Sequence, residues 1–224
     1  MLKAIIFDMD GVLIDSEPVH FEANKKIMKG FGHDLEYEYY KQFIGSTLTH
    51  MWQVLKEDYG IEDEIESLNK MSEQGSKDII GKDGYIKIPG ACELVEMFSK
   101  NKLRLAVASS SAPDIIDNVV SSLGIKQYFD ILVSGMNVAH PKPAPDIFLN
   151  AAELLEVDSS ECMVIEDSAN GVNAARAAGM TCVGYINPNS GVQDLSNAHY
   201  LVESFVGLDM SFFNMVYCHA NGEP

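Results

Sequence analysis

Short apolar runs bounded by turn residues recur at positions 4–7, 103–108, 131–133, 162–165, 181–185 and 200–202. Such runs, apolar without alternation, read as strands buried on both faces of a sheet. From residue 91 onward they alternate with stretches of helical periodicity. These are 91–99 after the breaker Pro89-Gly90, 113–123 closed by Gly124, about 145–156 opening on Pro145 and Asp146, and 169–178 closed by Gly179. Ser111 with Asp114 looks like a capping-box start to the second of these, with Asp in place of Glu. The segment SFFNMVYCHANGEP, 211–224, reads as a last helix with a frayed tail. Strands alternating with helices predict βαβ units and a parallel sheet covered on both sides. Residues 16–88 differ. They hold amphipathic patterns at 20–28, 36–43, 49–59 and 62–80 and no comparable strand run, with 81–90 as a return linker. The predicted fold class is therefore α/β: a doubly wound core domain from 1–15 and 88–224, interrupted by a helical domain at 16–87.

Composition changes this picture little. A 224-residue chain that is 46% apolar and 22% charged can bury a core unaided. Charge changes it more. A net charge of −17 argues against nucleic acid and anionic membrane surfaces as partners. No apolar stretch approaches the ~20 residues of a membrane span. Asp8 cuts off the first apolar run, so no secretory signal is expected, and the expected location is the cytoplasm. The four cysteines form no CxxC pair and read as thiols of a reducing compartment. The default oligomeric state is a monomer.

The candidate chemistry lies where the predicted strands end. Asp8 and Asp10 follow the first strand, and Ser109 and Ser110 follow the 103–108 strand. Lys142, between two prolines, follows the 131–133 strand, and Glu166-Asp167 follow the 162–165 strand. Open α/β sheets bind ligands at these strand ends. Each residue alone reads as a turn, cap or loop residue. Together they place four carboxylates at one sheet edge, which costs free energy unless a cation neutralises them. Mg²⁺, a hard ion with oxygen ligands, is the natural candidate.

Asp8-x-Asp10-Gly11, Ser109, Lys142 and Glu166-Asp167 resemble, in order and spacing, the four motifs of the haloacid-dehalogenase-like superfamily. FDMDGVLIDSE, KPAPDIF and IEDSANG are similar to its β-phosphoglucomutase and sugar-phosphatase subgroup. The resemblance implies a Rossmann-like core with a small α-helical cap acting as a lid, hinged at 14–17 and 85–89. It implies Asp8 as nucleophile and Asp10 as general acid and base. Asp8, Asp10, Glu166 and Asp167 would hold Mg²⁺, with Ser109, Ser110 and Lys142 on the phosphoryl group. His20, Asn24, Gly45, Ser46, Thr47 and Lys77 would be substrate contacts of the cap. The acid at Asp10 separates the chain from the dehalogenases themselves.

The chain departs from the mutases where they grip a second phosphate. Leu48 stands in place of an arginine, and Ala112-Pro113 in place of a Lys-Asn pair. The expected activity is thus a Mg²⁺-dependent phosphatase working through an aspartyl-phosphate. Its partner would be a small phosphorylated metabolite, a sugar or polyol phosphate. The alternative is a β-phosphoglucomutase working through glucose 1,6-bisphosphate. A third reading is a non-enzymatic signalling module phosphorylated on aspartate, although such receivers are about half this length and lack both the second acid and a cap.

Overall fold

The computed structural model describes residues 1–222; Glu223 and Pro224, the end of the expected frayed tail, lie outside the described residues. The chain divides into two compact units. One comprises Met1–Ile14, Ile86–Asn187 and the chain from Val192 onward; the other comprises Asp15–Tyr85 and Pro188–Gly191.

The first unit is a six-stranded, all-parallel sheet. Its strands are β1 (Ala4–Phe7), β2 (Arg104–Ser109), β3 (Ile131–Ser134), β4 (Cys162–Glu166), β5 (Thr181–Tyr185) and β6 (Tyr200–Val202), in the order β3-β2-β1-β4-β5-β6. Strands β1 and β4 are buried at every residue, because helices cover both faces. This is the doubly wound, Rossmann-like arrangement, and the chain order reverses beside β1. Phe7 is level with Val107 on one side and Ile165 on the other, so Asp8 emerges between the ends of β2 and β4. The register therefore gathers distant residues at one edge.

In the second unit the helices are α1 (Glu17–Gly30), α2 (Tyr37–Tyr40), α3 (Leu48–Tyr59) and α4 (Ile65–Asp83). Phe21, Met28, Tyr40, Trp52, Leu55 and Leu68 belong to its own apolar core. Helix α1 begins before the predicted residue 20, because Glu17 and Pro18 both suit a first turn. The predicted helix over 36–43 is one turn, α2, tightening into a 3₁₀ turn at Lys41–Phe43 before Gly45 takes a φ of 81°. Helix α4 continues to Asp83, into the segment expected to be linker.

The remaining helices belong to the sheet unit: α5 (Ala91–Lys100), α6 (Pro113–Ser122), α7 (Asp146–Leu155), α8 (Ala169–Ala177) and α9 (Met210–Asn221). Two expectations need correction. Ser111 does not cap α6; the N-cap is Ala112, which has no capping side chain, with Pro113 opening the helix. And Pro188–Gly191, expected within the core, groups with the helical unit. There Asn189 Nδ2 donates to Asp15 Oδ2 at 2.5 Å, and a Cβ on Gly191 would lie 3.2 Å from the Ile44 side chain. Cys162 and Cys182 are buried, Cys92 and Cys218 half-buried, and all four are free thiols.

Candidate active site

Immediately after β1 the chain folds back in a tight turn. The carbonyl of Met9 accepts from the N–H groups of Leu13 (2.8 Å) and Ile14 (3.1 Å), while Gly11 adopts φ 83°. Asn187, at the end of β5, donates its side-chain N–H to the Gly11 carbonyl at 3.1 Å. The turn presents Asp8 at the buried strand end and Asp10 two residues on, at a half-buried position.

Lys142 reaches this edge from the loop after β3. Its Nζ donates to Asp8 Oδ1 at 2.5 Å, to Glu166 Oε1 at 2.8 Å and to the Ala108 carbonyl at 3.3 Å. All three charged side chains are buried, with exposures of 8% for Lys142, 10% for Asp8 and 1% for Glu166. The other Glu166 oxygen accepts from the Ser168 backbone N–H at 2.7 Å and its hydroxyl at 2.9 Å. Two glycines make room for these carboxylates. A Cβ on Gly171 would lie 1.6 Å from Glu166 Oε1, and one on Gly11 would lie 1.9 Å from Asp167 Oδ2. Gly171 opens α8 close over Glu166, just as Gly11 closes over Asp167.

The electrostatics follow from this crowding. Burial pushes the Asp8 carboxyl well up, and Glu166 and Asp167 add to the shift while Lys142 opposes it. Burial alone would lower the Lys142 ammonium, but Asp8 and Glu166 outweigh it and hold the lysine charged. One ammonium against three buried carboxylates leaves an excess of negative charge, which a hard divalent cation with oxygen ligands would neutralise. Among the described residues no three His, Cys, Asp or Glu side chains converge as a ready-made cluster. A cation here would draw on Asp8, Asp167 and the backbone carbonyl of Asp10, beside a Glu166 already engaged with Lys142 and Ser168.

Ser109 is buried at the end of β2, where its hydroxyl accepts from the Ser111 N–H at 3.1 Å. Ser110 is exposed and, with Lys142, lines a hollow of about 100 Å³. Asp10 Oδ2 accepts from the Ser111 hydroxyl at 3.1 Å. Ser134 Oγ, buried at the end of β3, donates to the Ser111 carbonyl at 2.7 Å. Of the expected residues, Lys142 thus joins Asp8 and Glu166 directly, Asp167 lies near enough to act on the Asp8 carboxyl, and Asp10 sits on the same turn as Asp8.

The helical unit holds a separate pocket of about 160 Å³. Of the residues expected to contact substrate, His20, Gly45, Ser46 and Thr47 line it. Asn24 and Lys77 do not. Asn24 is only 1% exposed and ties helices together: its Nδ2 donates to the His20 carbonyl at 2.9 Å, and its Oδ1 accepts from Ser72 Oγ at 2.6 Å. Trp52 Nε1 completes this chain by donating to Ser72 Oγ at 2.9 Å. Lys77 is exposed, whereas Ser72 and Ser76 occupy the inward face of α4 and Ser76 Oγ lies 3.2 Å from His20 Nδ1. One residue past Ser76 is a 100° rotation away from that face.

Several further residues take part, most of them unmarked by any local sequence pattern. Glu17 and Tyr40 also line the pocket, and the Tyr40 hydroxyl donates to Glu17 Oε1 at 2.7 Å. Burial and the nearby Glu17 carboxylate push this phenol strongly upward, so it stays a donor. Gly171 carried the one readable signal, a glycine inside a helical pattern that needs no turn there. Nothing local distinguishes Ser134 or Asn187, which act only through long-range contacts.

Residues 5–185 match the family model described as haloacid dehalogenase-like hydrolase. A phosphorylated carbohydrates phosphatase of Thermotoga maritima is 32% identical over 179 residues, covering 80% of this chain and 82% of the relative. A fructose-1-phosphate phosphatase of Escherichia coli is 30% identical over 181 residues, covering 80% of this chain and 94% of the relative. Among solved structures, a putative β-phosphoglucomutase from Thermotoga maritima superposes with a TM-score of 0.79 at 28% identity, covering 99% of this chain and 98% of that one.

Proposed function

We propose, from the premise that this chain belongs to the haloacid dehalogenase-like hydrolase family and is a phosphoric monoester hydrolase, that it dephosphorylates a sugar or polyol monophosphate through an aspartyl-phosphate on Asp8. The observation that carries this reading is the buried ion pair of Lys142 with Asp8 at 2.5 Å at the carboxyl edge of the sheet. A carboxylate held there by an ammonium is positioned as a nucleophile toward a phosphoryl group whose charge the same lysine shares.

In the first step an Asp8 oxygen forms a bond to phosphorus, the ester P–O bond breaks, and the departing alkoxide takes a proton from Asp10. In the second, Asp10, now a carboxylate, takes a proton from the attacking water. The water oxygen bonds to phosphorus as the acyl-phosphate P–O bond breaks, and phosphate leaves with Asp8 restored. Lys142, the Ser109 hydroxyl and backbone N–H groups of the loop after β2 would hold the phosphoryl oxygens. Asp8, Asp167 and the Asp10 carbonyl would hold Mg²⁺, which would supply charge neutralisation at the phosphoryl group. Phosphoryl transfer asks mainly for such positioning and charge stabilisation.

The helical-unit pocket supports a neutral, hydroxyl-bearing substrate body. Glu17, His20, Tyr40, Ser46 and Thr47 supply its polar groups, and neither Lys nor Arg is among its lining residues. A second phosphate there would lose charge-assisted hydrogen bonds of about 1.5–3 kcal/mol each. The mutase reading keeps one specific support, the full-length superposition on structures titled as β-phosphoglucomutases. Both are tested by incubating the chain and Mg²⁺ with a panel of sugar and polyol monophosphates, and in parallel with β-glucose 1-phosphate plus a trace of β-glucose 1,6-bisphosphate. Free phosphate from several esters is the expected result. Rapid glucose 6-phosphate with little free phosphate would establish the mutase instead.

A further inference from the structure

Ser111 is bound at three points. Its backbone N–H donates to Ser109 Oγ at 3.1 Å, its carbonyl accepts from Ser134 Oγ at 2.7 Å, and its own hydroxyl donates to Asp10 Oδ2 at 3.1 Å. Ser134 is itself fixed, since its Oγ also accepts from the Met136 N–H at 3.2 Å and the residue is only 3% exposed. These serines belong to the ends of β2 and β3 and the loops that follow them, whereas Asp10 belongs to the turn after β1. Three strand ends are thereby joined through one residue.

The ordinary role of a serine just before a helix is to cap it. Here that role is unfilled: α6 starts from Ala112 with no capping side chain, although a Ser cap contributes about 1 kcal/mol. The Ser111 hydroxyl is committed to Asp10 instead. We propose that Ser111 is a positioning residue for the general acid, holding the Asp10 carboxyl on the leaving-group side of the site, with Ser134 as the brace that holds Ser111. The inference rests on the reading of Asp10 as the acid of the first step. A carboxyl that swings through several rotamers protonates a leaving alkoxide only from the fraction correctly placed, and misplacement by about 1 Å can cost as much as 10²-fold. Restricting Asp10 therefore raises the rate of the step that needs an acid and leaves untouched a step that does not.

The test uses two esters of nearly one shape, phenyl phosphate and p-nitrophenyl phosphate, with single-turnover phosphorylation of the chain as the readout. p-Nitrophenolate departs without an acid, whereas phenolate is helped by one. Ser111→Ala is expected to slow phosphoryl transfer from phenyl phosphate by roughly tenfold or more and from p-nitrophenyl phosphate by less than about twofold. Ser111→Thr, which keeps the hydroxyl, restores the phenyl phosphate rate, and Ser134→Ala reproduces the same selective loss more weakly. Equal slowing with both esters would make Ser111 a phosphate contact or a purely structural residue and overturn the proposal, as would no slowing with either.

The contact is also read without turnover. In urea, the combined shift of Ser111→Ala with Asp10→Ala should fall short of the sum of the single shifts, because both remove one interaction. Strict additivity would overturn the contact. A wild-type chain phosphorylated by neither ester would instead strike at the proposed function, leaving the urea experiment to decide on Ser111.

Discussion

At the carboxyl edge of the sheet, charge is buried and fixed: Lys142 bridges Asp8 and Glu166 at 2.5 and 2.8 Å, and glycines 11 and 171 leave no spare volume around the neighbouring carboxylates. In the pocket of the helical unit, the polar groups other than the buried Tyr40 are exposed or half-buried, and most are neutral. Ser46 and Thr47 sit in an exposed loop, and His20 is half-buried. The first arrangement is costly to assemble and depends on every partner, because a buried charge without its counter-ion is strongly destabilising. The second tolerates exchange, because surface polar groups trade protein contacts for water at little net cost. Under the proposed function, the sheet edge would carry the chemistry and the pocket the choice of substrate.

The sharpest break should come from Asp8→Asn, which keeps the side-chain shape and removes the nucleophile. Phosphate release should fall by about 10⁴-fold or more while circular dichroism stays native. Residual activity within tenfold of wild type would dismantle the nucleophile assignment. Lys142→Met comes next. It strands Asp8 and Glu166 without their cation and should destabilise the fold by about 3–5 kcal/mol in urea denaturation, with activity lost as well. A loss under about 1 kcal/mol would mean that the edge is more solvated than its burial implies.

Glycines give a matched pair across the two regions. Gly171→Ala puts a methyl where Glu166 Oε1 lies, 1.6 Å away, and should cost about 1–3 kcal/mol together with much of the activity. Gly81→Ala, within α4 and with nothing inside 4 Å, should stabilise by about 0.5–1 kcal/mol. Equal effects at the two sites would remove the contrast. The smallest effect is expected at Ser46→Ala, which removes one pocket hydroxyl. KM should rise by a few-fold, and differently for different sugars, while kcat holds, as for a uniform binding contact of about 0.5–1.5 kcal/mol.

The same contrast governs what the sequence reveals. The sheet was legible because each strand is an apolar run, and three of the runs end in candidate site residues: Asp8, Ser109 and Glu166. Parallel register then carries those residues to one edge without further information. The second layer was not legible. Ser111 reads locally as a helix cap, and only the fold, which brings the β1 turn beside it, diverts its hydroxyl to Asp10. Pro188–Gly191 reads as a loop of the sheet, yet its partners, Asp15 and Ile44, lie more than a hundred residues away in the helical unit. In the pocket, Asn24 and Lys77 both lie on the right helices. What separates them from His20 is which face of α1 or α4 meets a neighbour, and periodicity alone does not fix that where serines share the inward face.

The proposed function requires that Asp8 take up the phosphoryl group. Rapid quenching of the Mg²⁺-loaded chain with its best panel ester, followed by mass spectrometry of its peptides, tests this directly. One phosphoryl group, labile to base, should appear on the peptide containing Asp8 and be absent from Asp8→Asn. A phosphorylated residue elsewhere, or full turnover with Asp8→Asn, would contradict it.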